Sequence, residues 1–466
     1  MRCLACACWK KINVYFLIVM FLFFVPASGA KGESTIQSGG EVNIRLFQDT
    51  KEDTAYEDHE QVRTQFDVWT KFKKNGFSAY VSGRTEGEWL IGDDTQKDVD
   101  VTLRQAYISA DSDRWALSLG KQVVTWGKLD NVIVVDRINP QDFRWFVMDD
   151  KQERKDPVWM MQAHYFGDNY DAELLYIPFF RASKIDFFGS DWAVFDHLKE
   201  AVEKGNYSAS AKSIISGVRI KDKDKLTQDT FANGEWGIRF RNRIGNVDCA
   251  FYYMYIHSRV PVLREKTSKG NTLKRFLYTP SVNSLNELAA LNPANEDLVL
   301  EKEYPGMNVI GGDFETIIIG EYGLRGEYGL FLGAPYLRSD FSYVEKDRLS
   351  FGLGIDHTTA QDWYYNLQFI EDIILDYEEL FAQEEYSHEI TFNLKKDFLR
   401  GNLLFALDCA YSLSYGDSMF NPEVRYKFNG GVEAALGGFI FEGDSTTLFG
   451  RYNAKDLVYM EMKYRF

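Results

Sequence analysis

Polar and apolar residues take turns along most of this chain. In the last segment Val458, Met460, Met462, Tyr464 and Phe466 fall on one side, and Tyr459, Glu461, Lys463 and Arg465 on the other. Trp236, Ile238 and Phe240 oppose Glu235, Arg239, Arg241 and Arg243 in the same way, and Leu349, Phe351, Leu353 and Ile355 oppose Arg348, Ser350 and Asp356. Successive side chains of a strand point to opposite faces, so a period of two marks a sheet with a different solvent on each side. Strands are predicted at 41–50, 62–75, 76–89, 99–111, 114–125, 157–167, 169–180, 234–244, 247–258, 307–319, 322–331, 345–358, 362–376, 385–397, 401–415, 421–429, 430–442 and 456–466.

The joins between them alternate. Tight turns such as Lys74-Asn75-Gly76, Gly245-Asn246, Arg400-Gly401 and Asn429-Gly430-Gly431 follow every second strand; longer loops rich in Asp, Glu and Lys follow the others. Short turns on one rim and long loops on the other belong to a transmembrane barrel, not to a soluble sandwich. The pattern predicts a closed antiparallel β-barrel of about 18 strands, within a range of 14–18. The two terminal strands would pair, because hydrocarbon tolerates no open sheet edge.

Three loops are long. Gly127 to Asp156 mixes apolar residues with Asp136, Arg137, Asn139, Asp142 and Arg144, and reads either as a gate inside the lumen or as an extracellular lid. Arg181 to Asn233 predicts a helix capped by Ser190, striped by Val194, Leu198 and Val202, and ended by Gly205. Arg259 to Pro305 predicts another, with Ser284 and Glu287 as a capping box and Asn292-Pro293 as the stop.

The first thirty residues stand apart. Arg2, Lys10 and Lys11 precede the apolar run Val14 to Val25, and Ser28-Gly29-Ala30 follows, as in a secretory signal peptide cut before Lys31. Removing those three cations moves the net charge from −16 to −19, which makes nucleic acid a poor partner. One barrel domain, 31–466, is then expected, exposed to outer-membrane lipid. Aromatic residues make up 15% of the chain, enough for interfacial girdles. Cys249 and Cys409 sit mid-strand as small apolar residues, without a disulfide framework.

Alternation turns a set of charges inward: Arg84, Glu86, Arg104, Arg239, Arg241, Arg243, Asp313, Glu315, Arg325, Glu327, Arg348, Asp356, Asp408, Glu423, Arg425, Lys427, Glu433, Glu461, Lys463 and Arg465. On the lipid face each would cost about 2–4 kcal/mol near the midplane. They line either a water-filled passage or a set of ion pairs that staple the wall. No catalytic or cofactor site is expected. The six histidines are scattered without metal spacing, and no G-x-S-x-G is present.

Several segments resemble an uncharacterised family of large proteobacterial outer-membrane barrel proteins. They are Leu103-Arg-Gln-Ala-Tyr107, Leu119-Gly-Lys-Gln-Val-Val-Thr-Trp-Gly127, Ile138-Asn-Pro-Gln-Asp142, Leu324-Arg-Gly-Glu327, and the close from Phe449-Gly-Arg-Tyr to Lys463-Tyr-Arg-Phe466. Gln105 stands where that family more usually has an acidic residue. The resemblance implies an outer-membrane location and traffic of hydrophobic molecules. The terminal Phe466, with Tyr464 and Met462, resembles the signal read by the outer-membrane assembly machinery. The function expected is an outer-membrane channel or transporter passing a small or hydrophobic solute. Its rival is a structural or adhesive barrel whose long loops bind a partner.

Overall fold

The computed structural model describes residues 34–51, 60–91, 96–132, 134–190, 192–223 and 231–466. The signal-peptide stretch expected at 1–30 lies outside the described residues. The barrel strands, β1 to β18 in chain order, are Thr35–Asp49, Glu60–Lys74, Phe77–Ile91, Gln96–Asp111, Trp115–Gln122, Val158–Phe166, Tyr170–Ile177, Glu235–Ile244, Val247–His257, Gly306–Ile318, Tyr322–Leu337, Tyr343–Thr358, Trp363–Ile374, Tyr386–Phe398, Leu403–Ser412, Ser418–Lys427, Val432–Glu442 and Leu457–Arg465. All 18 expected strands are present. Each pairs antiparallel with the next, and β18 returns to β1 in the register Glu41↔Arg465 to Asp49↔Leu457. The ring is closed, and no barrel strand is left at an edge along its whole length.

The seam shows why closure falls where it does. Gly40 and Phe466 exchange backbone hydrogen bonds of 3.0 and 3.1 Å, and a Cβ at Gly40 would lie 2.4 Å from the Phe466 ring. A side chain at position 40 would have to displace the Phe466 ring, and it would press on the Asp67 carbonyl of β2, 2.6 Å from the same point.

The outer face is apolar. Along β18, Met460 is 53% exposed while Glu461 beside it is 1% exposed. Leu117, Met161, Phe251 and Leu436 also stand outward, each more than half exposed. Tight turns join the strands on one rim, where Asn75 and Gly76 take φ of 49° and 76°, as a two-residue hairpin with right-handed strand twist requires. The opposite rim carries the long loops, though 338–342 and 413–417 on that side are as short as the turns.

Loops 178–234 and 258–305 pack on each other as a cap. Central strand Val299–Glu303 runs antiparallel to Val262–Glu265 and parallel to Arg219–Asp222. Four helices, Asp196–Lys204, Ala209–Gly217, Gly270–Tyr278 and Val282–Ala290, close over this sheet around Leu198, Ile215, Leu273, Leu285, Leu288 and Leu300. Two of the four, Ala209–Gly217 and Gly270–Tyr278, were not expected from the sequence, although Ser208 caps the first by accepting from Ala211 N–H. Ser190 is not a cap: the first helix starts after Phe195, because Ala193 to Phe195 form hydrogen-bonded turns with Asp186 to Ser190 instead. The capping box is Ser281 with Ser284, at 3.0 Å in each direction, and Glu287 reaches across to Arg275.

Leu288 is fully buried at the centre of the cap. Leu288→Ala should cost the cap about 2–5 kcal/mol while leaving the barrel closed. Limited proteolysis would show faster cleavage within 178–234 and 258–305, with heat-modifiable gel mobility of the barrel unchanged.

Candidate functional site: a loop folded into the lumen

Strand β5 leaves the wall at Gln122, and residues 123–157 turn into the barrel instead of over its rim. The cause is local. Val124, Trp126, Leu129, Val134, Val135 and Ile138 need burial, and the inner faces of the neighbouring strands supply Met160, Ile177, Tyr252, Met254, Val309 and Ile370. The wall is cut back to glycine where the loop presses on it. A Cβ would lie 2.9 Å from the Trp126 ring at Gly237, 3.0 Å from Val135 at Gly311, and 2.5 Å from Leu129 at Gly352. Gly127, at φ 103°, makes the inward turn.

An irregular segment in a lumen must find partners for its backbone. Glu327 on β11 supplies them. One carboxylate oxygen accepts from the N–H of Lys128 (2.5 Å) and Leu129 (2.7 Å), the other from Val134 (2.8 Å) and Val135 (3.3 Å). On β13, the Gln368 side-chain oxygen accepts from Asn131 and Val132 N–H. The tip is held by side chains as well. Asp130 accepts from Arg325 (2.6 Å) and Asn366 (3.0 Å), Asn131 donates to Thr391, and Lys128 pairs with Glu315 at 2.8 Å.

The returning half crosses to the other wall. Asp149 accepts from Arg45 (2.7 Å) and Arg63 (2.8 Å) on β1 and β2. Arg45 also pairs with Glu461, and Arg63 lies 4.6 Å over Trp145. Arg104 on β4 holds Asp156 and the carbonyls of Glu153 and Lys155. Burial alone would raise the Asp149 pKa, but the Arg63 and Arg45 guanidinia outweigh it and hold the carboxyl well below the usual carboxylate range.

The five loop residues singled out in the sequence therefore sit inside the barrel, with separate tasks. Asp136 forms a buried ion pair with Lys155, which also donates to Thr125. Asn139 accepts from Val124 N–H and donates to Asp156 O, pinning the start of the loop to its end. Arg137 packs over Phe331 and donates to Val134 O. Asp142 and Arg144 pair with each other, and Asp142 also pairs with Lys184.

The wall charges form clusters instead of separated rings. Arg425 meets Glu423, Glu433 and Glu461, while Lys463 pairs with Glu41. Arg84 pairs with Asp67, Arg239 with Glu173, Arg241 with Asp171, and Arg325 with Glu315 and Asp356. Arg348 lies 4.3 Å over Phe331, and Asp313 is buried opposite Glu327. Arg243, mostly exposed beside the Gly245 turn, stands apart at 3.7 Å from Asp248. Gln105 accepts from Val123 N–H, and among the described residues it pairs with no arginine. The sequence reading did not single out Arg45, Arg63, Glu173, Asn366 and Gln368, although strand alternation already turned them inward. Among the described residues no cluster of His, Cys, Asp and Glu is placed to hold a metal ion.

Two measurements follow. Glu327→Gln keeps the size but loses charge and acceptor capacity toward four N–H groups, costing the seated loop about 1–3 kcal/mol. Hydrogen exchange should show reduced protection confined to 128–135. For Asp149 the depressed pKa means the anchor is intact above the unfolded value and lost only as pH falls through the folded one. Protection of 145–150 should thus persist from neutral pH to below the ordinary carboxylate range of about 4, whereas Asp149→Asn should lose it at every pH.

No curated protein matches the chain. Solved structures share the outline at low identity. Acinetobacter baumannii OccAB4 is 9% identical with a TM-score of 0.49, over 94% of this chain and 99% of that one. Pseudomonas aeruginosa OccK5 (OpdH) is 9% identical at 0.45, over 92% and 97%. At that level of likeness nothing about solute or mechanism carries over. Residues 34–346 match the family described as "Protein of unknown function (DUF1302)", and with two thirds of its length covered the chain belongs to that family.

Proposed function

We propose that this protein is a passive outer-membrane channel for a small solute, with residues 123–157 as its constriction. One observation carries the reading: a closed ring with an apolar exterior holds a loop across its lumen, tied to opposite walls by Glu327 and by Arg45 with Arg63. Eighteen strands enclose more space than wall side chains fill. A loop drawn through that space sets the width of whatever remains. Wall charges of both signs, mostly paired, argue against strong ion selectivity. Lumen residues such as Arg84, Arg104, Arg239, Glu315 and Lys463 would face the solute on either side of the loop. In this reading the N-terminal stretch directs export, and Phe466 at the seam serves recognition by the assembly machinery. The chemistry is transport, with no reaction and no cofactor.

The cap favours a second reading, a barrel that presents a binding module. It has a hydrophobic core of its own, formed from two loops. Replacing 181–233 and 259–305 by short links would then abolish partner binding with permeability unchanged.

Conductance separates the two. In planar bilayers the intact barrel should pass small currents, and replacing 128–150 by a short Gly-Ser link should raise them severalfold. If both forms are folded and neither conducts or swells liposomes with any solute, the channel reading fails.

A further inference from the structure

The segment Leu119 to Gly127 does more than turn the chain inward. Its residues Gln122 to Thr125 line one side of a cavity of about 390 Å³. Gln105, Tyr107, Gln122, Gln162, Glu173 and Arg239 line it. We propose that this cavity is a binding subsite for a neutral, hydroxyl-bearing solute of sugar size, resting on the channel reading above and naming its substrate class.

The charge balance comes first. Arg239 is spent on Glu173 and stacks over Trp126 at 5.3 Å. Glu173 is filled by Trp126 Nε1, Gln162 Nε2 and Arg239. His164, also in the lining, receives Arg241 Nη2 at 2.8 Å, and Arg241 is paired with Asp171. Arg239 Nε and Arg241 Nε have no acceptor, but both guanidinia are ion-paired with carboxylates through Nη2, so an ionic solute would find no uncompensated charge here.

The polar groups exclude a hydrocarbon as well. Gln122 is more than nine-tenths buried, and its Oε1 shares the Ser118 hydroxyl donor with Gln162 Oε1, each at 3.1 Å, but its Nε2 has no partner. A buried donor without an acceptor is costly, and an alkane leaves it so. A hydroxyl or ether oxygen satisfies it. The Tyr107 ring gives such a solute an apolar face to lie on. That ring packs on Tyr80 at 5.4 Å.

The test uses the full chain in detergent micelles, with calorimetry as the readout and with glucose, sucrose, sodium gluconate and hexanol as probes. Glucose or sucrose should bind saturably and more tightly than gluconate or hexanol. Gln122→Glu keeps the acceptor for Ser118 and the side-chain size but removes the free donor. It should weaken sugar binding about tenfold, while Arg243→Ala should not. Gln122→Leu serves if the acidic variant fails to fold, as judged by heat-modifiable mobility. Tighter binding of gluconate or hexanol, or sugar binding indifferent to position 122, overturns the assignment. Because no membrane is involved, saturable binding with no conductance would sink the channel reading alone, and conductance without saturable binding would sink this one alone.

Discussion

Everything in this barrel turns on where an irregular loop puts its backbone hydrogen bonds. Residues 123–157 have little regular structure, yet they lie inside a closed wall. Water could solvate them there only if the lumen were wide and open. Instead the wall supplies acceptors: the Glu327 carboxylate takes four N–H groups and Gln368 takes two more. A buried carboxylate is itself costly unless fully hydrogen-bonded, and four N–H donors do that. Wall and loop therefore satisfy each other, and Glu327 serves the loop backbone instead of standing as a free lumen charge.

The division of the lumen follows from the same economy of partners. One side of the loop is apolar and meets strands whose inner faces carry Met160, Met254 and Val309, with glycine at the tightest approaches. The returning side meets Arg45, Arg63 and Arg104 through its charges and packs Trp145, Phe146 and Met148 on Phe47, Phe439, Phe441 and Tyr459. The segment is thus held to both walls by apolar and by charged contacts together, which leaves few ways to seat it.

The barrel was legible because its signal is local. Lipid outside and polar groups inside impose a period of two on every strand, so each could be read from its own residues. Even the last, Leu457–Arg465, shows the alternation without reference to its partner β1. The site was legible only in part. Alternation says that Glu327 points inward; it does not say that it meets Lys128 and Val134 from almost 200 residues away. The Gly127–Asp156 loop carried apolar residues that had to be buried, but nothing in it distinguished a lumen from a cap. That choice was made by Gly237, Gly311 and Gly352 on other strands, each unremarkable where it stands. The helix start misassigned to Ser190 failed for a similar reason: turns with Asp186 and Phe187 had first claim on that stretch.

The stretch Leu119 to Gly127 brings these threads together. Gly120 presses on the Tyr107 backbone; Lys121 donates to Leu103 O at 2.6 Å, where β4 continues upward past the end of β5. Gln122 faces the cavity; Val123 and Val124 give their N–H groups to Gln105 and Asn139. Thr125 receives Lys155, Trp126 reaches Glu173, and Gly127 makes the bend. From Gly120 to Gly127, then, every residue has a distinct partner or conformation to satisfy. A strand that merely ended would need one or two such residues. A strand that must leave its sheet, cover the exposed edge of its neighbour and start a loop through the lumen needs all of them, and this is the physical reason for so specific a run of residues in an otherwise loosely patterned wall.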